Sequence, residues 1–563
     1  MTAAAPPPPS AARLLGSAIR RRRRDTTSSA VLVVGHQLCE AAVPVVAGAA
    51  IDRAVATGDG SALLLWLGVV VAVFVALATC GGFGYWLLSR AEFSIRRDLR
   101  LRLAARALDP RGGLGARRGE TPGELVGAAG VDAARAATVT DPVVLLAGSG
   151  AALVGGAAVL LAASPVLAAV VLVGAGVVLV LSQVLSGPLV GRAEREQATL
   201  AEATAVATDL VEGLRVVKGI GAEDAAGAGY GRTSRAALAA RLHAARAEGA
   251  YEGVTTALSG VLLVAVAWVG GELALSGTIS VGDLVAAVGL AQFLMEPLER
   301  LALFGQLLAG ARGAGGRLAH LLAAPPAVTG GGSTADDAPG PVAVAVRRDG
   351  LALDVAAGEH LGVVAADPAR AEPLLRTLAR DDDAGTLLLD DRDAADLDLD
   401  AVRRRVVVAR HDAVLFEGTV AENLAPADAT RDESGWAGVL TASAAADVVA
   451  GRPEGLDAEI GERGRSLSGG QRQRLVLARA LATEADVLVL HEPTTAVDAA
   501  TEDRVADGLR RHRAGRTTLL LTASPALLAR CDRVVLVDGG GVVAEGTHAS
   551  LLVDPGYRAV VLG

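Results

Sequence analysis

The chain has 563 residues, 52% of them hydrophobic, and a mean hydropathy of +0.43. That is too apolar for a single soluble domain and long enough for more than one domain. A net charge of −9 argues against nucleic-acid binding, and three cysteines (Cys39, Cys80, Cys531) without zinc spacing exclude a structural zinc site or a disulfide framework. The basic residues are nearly all arginine, with Lys218 the only lysine.

In chain order, an N-terminal tail and elbow (1–28) carries the run IRRRRRD, Ile19 to Asp25. A secretory or Tat signal is the competing reading of that run, but further apolar segments follow it. A spanning helix needs roughly 20 mostly apolar residues. Six segments qualify within 29–323: 29–51, 61–88, 142–163, 165–186, 253–275 and 282–304. Short connections (Asp52 to Gly60, Ser164–Pro165, Leu275 to Ser280) alternate with long ones (Arg90 to Asp141, Gly187 to Glu252). The long connections hold Arg96, Arg97, Arg100, Arg102, Arg117 and Arg192, and the short ones hold almost no arginine. The positive-inside tendency then places both termini and both long connections in the cytoplasm. His36, Gln37 and Glu40 lie inside the first span, with His36 and Glu40 on one helix face. An interhelix hydrogen bond explains them more simply than a substrate contact or proton relay, and the same holds for Glu296 and Glu299.

Residues 324–341 are rich in Pro, Gly and small polar side chains and read as a linker. Beyond them, 342–563 alternates β-type runs with helical ones. VRRRVVVAR, ADVLVL, RTTLLLTA and DRVVLVDGG predict strands of an α/β domain with a mostly parallel sheet.

Several stretches carry a specific resemblance. GERGRSLSGGQRQRLVLARAL (Gly461 to Leu481), VLVLHEPTTAVD (Val487 to Asp498), GTVAENL (Gly418 to Leu424) and EGTHASLL (Glu545 to Leu552) occur in order. Upstream lie TPGELVGAAGVDAARAA (Thr121 to Ala137) and GLRVVKGIGAED (Gly213 to Asp224). Together these resemble an ABC transporter half-molecule of the exporter fold. The implied architecture is a six-span α-helical transmembrane domain with long cytoplasmic helices, joined to an α/β P-loop-NTPase-like nucleotide-binding domain. The last two stretches resemble the family's first and second coupling segments.

The resemblance also exposes departures. A phosphate loop needs glycines, inward backbone N–H groups, a helix N-terminus and a lysine. Aligned on GEHLGVV (Gly358 to Val364), the glycine positions hold Ala365, Pro368 and Arg370. Ala371 stands at the lysine, and Glu372 and Pro373 at the Ser/Thr pair. The Walker B aspartate position holds His491, the Q-loop glutamine position His411 and the switch-histidine position Ala523. No aromatic residue lies between Phe304 and Phe416 to stack on adenine. Losing three charge-assisted hydrogen bonds of ~1.5–3 kcal/mol each weakens binding roughly 10³-fold or more. Glu492 matches the family's general base and, beside such a loop, is expected to be idle or structural.

In this family two nucleotide-binding domains pair head to tail, each ATP lying between one chain's Walker motifs and the other's signature. The signature here is intact. Ser468 is expected to cap a helix beginning near Gly470, Gly469 and Gly470 to admit a phosphate, and Gln471 to contact ribose or phosphate. Asp498 is expected to reach toward the partner. The resemblance thus implies a catalytically degenerate subunit of a heterodimer in a bacterial plasma membrane. ATP and Mg²⁺ would sit at a composite site on the partner's Walker motifs, and this chain would hold no metal of its own. Its partners would be a second half-transporter with intact Walker motifs, membrane lipids and a transported substrate that the sequence does not identify. The alternative is a non-transporting membrane regulator or scaffold. Encoding beside an intact half-transporter would favour the first reading, and encoding beside a sensor the second. A homodimer would leave both sites empty.

Overall fold

The protein is described by a computed structural model covering residues 10–114, 122–333, 340–425 and 433–563. Residues 1–9 of the expected tail, Arg117, Thr121 and 334–339 of the expected linker lie outside the described residues. The chain divides into a membrane unit, up to Ala104 and from 122 to Ala323, and a soluble unit that takes residues 105–114 and those from Ala324 onward.

Six helices of the membrane unit are long and apolar enough to cross a bilayer. They are TM1 (Arg23–Ala50), TM2 (Gly60–Ala107), TM3 (Asp141–Ala163), TM4 (Pro165–Glu212), TM5 (Glu223–Leu275) and TM6 (Val281–Leu322). An elbow helix, Ala11–Arg21, precedes them and buries Leu14 and Leu15. Four of the six run far past the apolar stretches that predict them. Their polar continuations are rich in Ala, Arg, Leu and Glu, which favour helix, and TM4 runs on through Pro188. Small residues let the helices approach. A Cβ on Gly48 would lie 2.3 Å from the Gly282 carbonyl oxygen, so TM1 and TM6 cross backbone to backbone. Beyond that crossing, Asp52 accepts from the Ser280 hydroxyl (2.5 Å) and the Gly282 N–H (2.9 Å). Ser280 also forms a reciprocal cap with Asp283 at the start of TM6.

The soluble unit is built on a six-stranded sheet ordered β12-β11-β3-β10-β9-β6. The strands are β3 (His360–Ala365), β6 (Val406–Ala409), β9 (Val487–His491), β10 (Thr517–Leu521), β11 (Arg533–Asp538) and β12 (Gly541–Gly546). All neighbours pair in parallel except the edge strand β12. The four quoted runs supply β6, β9, β10 and β11. The central strands are apolar without alternation because helices cover both faces, and all five residues of β10 are buried. A second, antiparallel sheet, β2-β1-β4-β5, was not expected. It is formed by β1 (Val344–Arg348), β2 (Leu351–Val355), β4 (Thr386–Leu389) and β5 (Arg392–Asp393). The pair β7 (Gly418–Thr419) and β8 (Glu459–Ile460) completes the strands.

Ala324 to Ser333, expected as linker, is fastened to the soluble unit. Val328 is buried, Thr329 donates to Asp383 through both N–H and hydroxyl (2.8 and 2.9 Å), and Ser333 bridges Leu397.

Candidate functional site

The loops after β3, β9 and β10 leave the carboxyl ends of adjacent parallel strands, where open α/β sheets bind ligands. In the loop after β3 three backbone donors are already engaged. The Ala366 N–H donates to the Val537 carbonyl (3.0 Å), and the Arg370 N–H to the Asp367 carbonyl (2.9 Å). The Ala369 N–H donates to the Asp367 carboxylate (3.0 Å), while Pro368 has no N–H. Asp367 and Pro368 together make a capped 3₁₀ turn over Pro368–Arg370. The helix Ala371–Leu378 follows, with Ala371 buried in the core and Pro373 tolerated in the first turn.

Glu372 accepts from Arg376 (3.0 Å) and from Arg410 (2.5 Å), which stands at the end of β6. Burial pushes this carboxyl up, but Arg410 and Arg376 outweigh it and hold Glu372 below the usual carboxylate range. Beside this pair, His411 and His491 face each other, Nδ1 to Nδ1 at 3.2 Å, with rings edge-on at 4.8 Å. Burial, then His411 and Arg410, lower the His491 pKa, which favours the neutral imidazole. The Glu492 carboxylate accepts from the Thr522 hydroxyl (3.1 Å) and the Ala523 N–H (3.2 Å). Burial raises its pKa in spite of these bonds. Glu492 adopts a left-handed backbone, φ 47°, and its carbonyl accepts from Gln473 (2.9 Å). The cavity beside this loop holds about 240 Å³, and much of its wall is apolar: Val363, Leu374, Leu521 and Val537.

The signature segment is arranged differently. The helix Gly469–Ala482 begins one residue earlier than expected. Ser468 caps it: its Oγ accepts from the Gln471 N–H (3.2 Å), and the Gln471 Oε1 accepts from the Ser468 N–H (3.0 Å). The Gln471 oxygen is therefore engaged locally, and only its amide N–H groups remain to meet a ribose or phosphate. The Gly469 and Gly470 N–H groups have no acceptor among the described residues, and Ser468 and Gly469 are exposed. A Cβ on Gly470 would lie 2.7 Å from the Ala496 carbonyl oxygen, so the helix start packs on the loop after β9. Gln473 fastens it there, donating to Thr495 (3.0 Å) and accepting from the Ala496 N–H (2.9 Å). Asp498, expected to reach outward, caps the helix Ala499–His512 by accepting from the Thr501 N–H (3.0 Å).

The chain matches the ABC transporter transmembrane region over residues 27–298 and the ABC transporter domain over 349–495. It is 32% identical over 401 residues to the ATP-dependent lipid A-core flippase of Thiobacillus denitrificans, covering 68% of this chain and 69% of that protein. The chain belongs to the ABC transporter family.

As an ABC exporter half-molecule it is also 33% identical over 402 residues to a multidrug efflux ATP-binding/permease protein of Mycobacterium tuberculosis. That alignment covers 66% of this chain and 33% of that protein. Its fold matches a bacterial Atm1-family ABC exporter solved with ATP bound, at a TM-score of 0.74. The match has 22% identity and covers 96% of this chain and 98% of that one. The soluble unit is thus the domain with which ABC transporters bind ATP, typically with Mg²⁺.

Among the departures found in the sequence, Glu372, His411 and His491 come together, and Glu492 meets Ala523. Ala371 turns into the core. Sequence reasoning missed Asp367, Arg410 and Gln473. The Asp-Pro pair at 367–368 is a turn signal that could have revealed the first. Nothing local announces that Arg410 meets Glu372.

In the membrane unit, the His36 Nδ1 lies 2.9 Å from the Leu77 carbonyl oxygen on TM2, an interhelix hydrogen bond. Its Nε2 lies 3.8 Å from Glu40. Glu296 pairs along its own helix with Arg300 rather than across helices.

Proposed function

We propose that this chain is the nucleotide-incompetent subunit of a heterodimeric ABC transporter in a bacterial plasma membrane, with both termini cytoplasmic. A contrast in backbone donors carries the reading. In the chain's own phosphate loop Ala366, Ala369 and Arg370 donate internally and Pro368 cannot donate. At the signature, the Gly469 and Gly470 N–H groups stand at an exposed, capped helix start. A triphosphate does not fit the first arrangement. No lysine is available, Glu372 would repel it, and a His411–His491 pair replaces the hard oxygen ligands that Mg²⁺ prefers. The second arrangement suits an anion, since a helix N-terminus adds favourable potential to its unpaired donors.

On this reading the chain supplies six helices to the pathway and its signature to ATP held by a partner's intact Walker motifs. Glu492, tied to Thr522 and Ala523, is structural. The purified single chain should show no Mg²⁺-dependent ATP turnover above a Glu492→Gln control and no photolabelling by an azido-ATP. Turnover or labelling of the single chain would overturn the proposal.

A further inference from the structure

Neither the closed loop nor the signature uses the His411–His491 pair. Its two side chains come from neighbouring parallel strands. His491 is the last residue of β9, and His411 lies just past the end of β6. His411 is exposed and His491 half-buried, and both line a cavity of about 180 Å³ beside Arg472 and Gln473. A small solute can therefore reach the two rings.

The pair makes a poor hydrogen bond. Its Nδ1 atoms lie 3.2 Å apart and its ring centroids 4.8 Å apart. A straight N–H···N bond between two imidazoles would set the centroids roughly 5.5 Å apart, so these rings bend off the line that such a bond prefers. The same spacing suits an ion. Two nitrogens that are each ~2.0–2.1 Å from one tetrahedral ion lie roughly 3.3 Å apart. Imidazole favours Zn²⁺ and its neighbours in the first transition row, whereas Mg²⁺ demands oxygen. The surrounding charges decide little, because Glu372, Asp412 and Glu492 stand against Arg376, Arg410 and Arg472. No third His, Cys, Asp or Glu completes a ligand group among the described residues. Water or a soluble anion would fill the positions that remain.

We propose that His411 and His491 bind a borderline divalent cation, Zn²⁺ by preference, through their Nδ1 atoms. The ion ties the loop after β6 to the end of β9. This revises the expectation that the chain holds no metal of its own, which followed from the loss of ligands for Mg²⁺. Binding is measured without nucleotide or partner, so this proposal and the heterodimer reading fail separately.

The test uses the full chain in nanodiscs, purified without a polyhistidine tag, stripped of metal and titrated with Zn²⁺ against a fluorescent chelator. The chain should take up a saturable equivalent that excess Mg²⁺ does not displace. His411→Ala and His491→Ala should each lose it. His411→Asn, which keeps a hydrogen-bonding side chain but no imidazole, should lose it too. His243→Ala removes an exposed histidine of TM5 and should leave uptake unchanged. His411→Cys should retain the site and, loaded with Co²⁺, show a thiolate-to-metal charge-transfer band in the near ultraviolet, a gain that misfolding cannot imitate. Equal Zn²⁺ uptake by the parent chain and His411→Ala, displacement by Mg²⁺, or no such band in His411→Cys would overturn the proposal and leave the pair a hydrogen bond.

Discussion

Asp367 closes the loop after β3 from within, its carboxylate and carbonyl accepting the Ala369 and Arg370 N–H groups. Replacing a single neighbour cannot reopen that loop. Ala371→Lys returns a positive charge to a position that is 7% exposed, and the donors stay engaged. We expect no gain in azido-ATP photolabelling of the variant. Forcing a long cation into a packed site should also cost about 1–3 kcal/mol, read as a lower unfolding midpoint. Strong labelling would mean that the loop opens more readily than its hydrogen bonds imply. His360, earlier on the same strand, gives the soluble unit an acid limit. It is 2% exposed, its Nδ1 lies 2.5 Å from Arg510, and its Nε2 has no partner. Burial first, then Arg510, lower its pKa from 6.5 to about 4. The folded value lies below the unfolded one. The stability linked to this group is therefore complete above pH 6.5 and is lost as pH falls toward 4, by roughly 3 kcal/mol. His360→Leu should flatten that limb, followed through the buried Trp436 in the full chain. An unchanged limb would assign acid sensitivity elsewhere. At this scale the sequence was half legible. Replacements at the loop could be read position by position, because a proline or a missing lysine acts where it stands. The Glu372–Arg410 pair could not, because it joins residues 38 apart in the chain and depends on how β6 lies beside the loop.

Among the elements, the spans and the parallel strands follow from apolar length and apolar continuity, which act locally and leave a plain trace. The antiparallel sheet escaped notice although its hairpin carries a turn signal. Asp349 and Gly350 sit between β1 and β2 with φ of 50° and 88°, the left-handed pair that a two-residue hairpin requires. Its strands are short and partly charged, so composition hid them. The start of TM6 also carries a local signal that went unread, since Ser280 and Asp283 have the spacing of a reciprocal cap. Its link to TM1 leaves no such signal, because Asp52 lies 228 residues from Ser280. Asp52 accepts from both the Ser280 hydroxyl and the Gly282 N–H, and no intrahelical bond replaces either. Asp52→Ala should therefore release the Ile51–Val55 turn, which is a π-helix. Amide exchange there should quicken by about 10- to 100-fold, as expected for roughly 1–3 kcal/mol of lost hydrogen bonding. Protection farther along TM1, beyond the Gly48–Gly282 crossing, should hold. Equal loss along the whole helix would show that the crossing depends on Asp52.

For the whole molecule, the two ends of its nucleotide-binding domain make opposite demands on a partner. In the loop after β3 the Ala366, Ala369 and Arg370 N–H groups are engaged and Pro368 has none, whereas the signature helix offers the N–H groups of Gly469 and Gly470. On the proposed heterodimer reading, a partner brings phosphate to Ser468 and nothing to Ala371. In the proposed heterodimer the two signatures would then be unequal. Ser468→Arg places a long cation over the exposed helix start and also removes a cap worth about 1 kcal/mol. Ser468→Ala removes the cap alone, so it separates lost helix stability from a blocked phosphate position. In the reconstituted complex, Ser468→Arg should abolish ATP turnover and transport, while Ser468→Ala should retain a measurable part of both. The matching arginine in the partner's signature should be nearly silent, because it faces the closed loop of this chain. Glu492→Gln should be mild here, since Glu492 is held by Thr522 and Ala523, and the partner's equivalent substitution should be severe. All variants must first be shown to assemble. Full turnover with Ser468→Arg, or its loss with Glu492→Gln, would mean that this chain's own loop takes part in hydrolysis and that two sites operate rather than one.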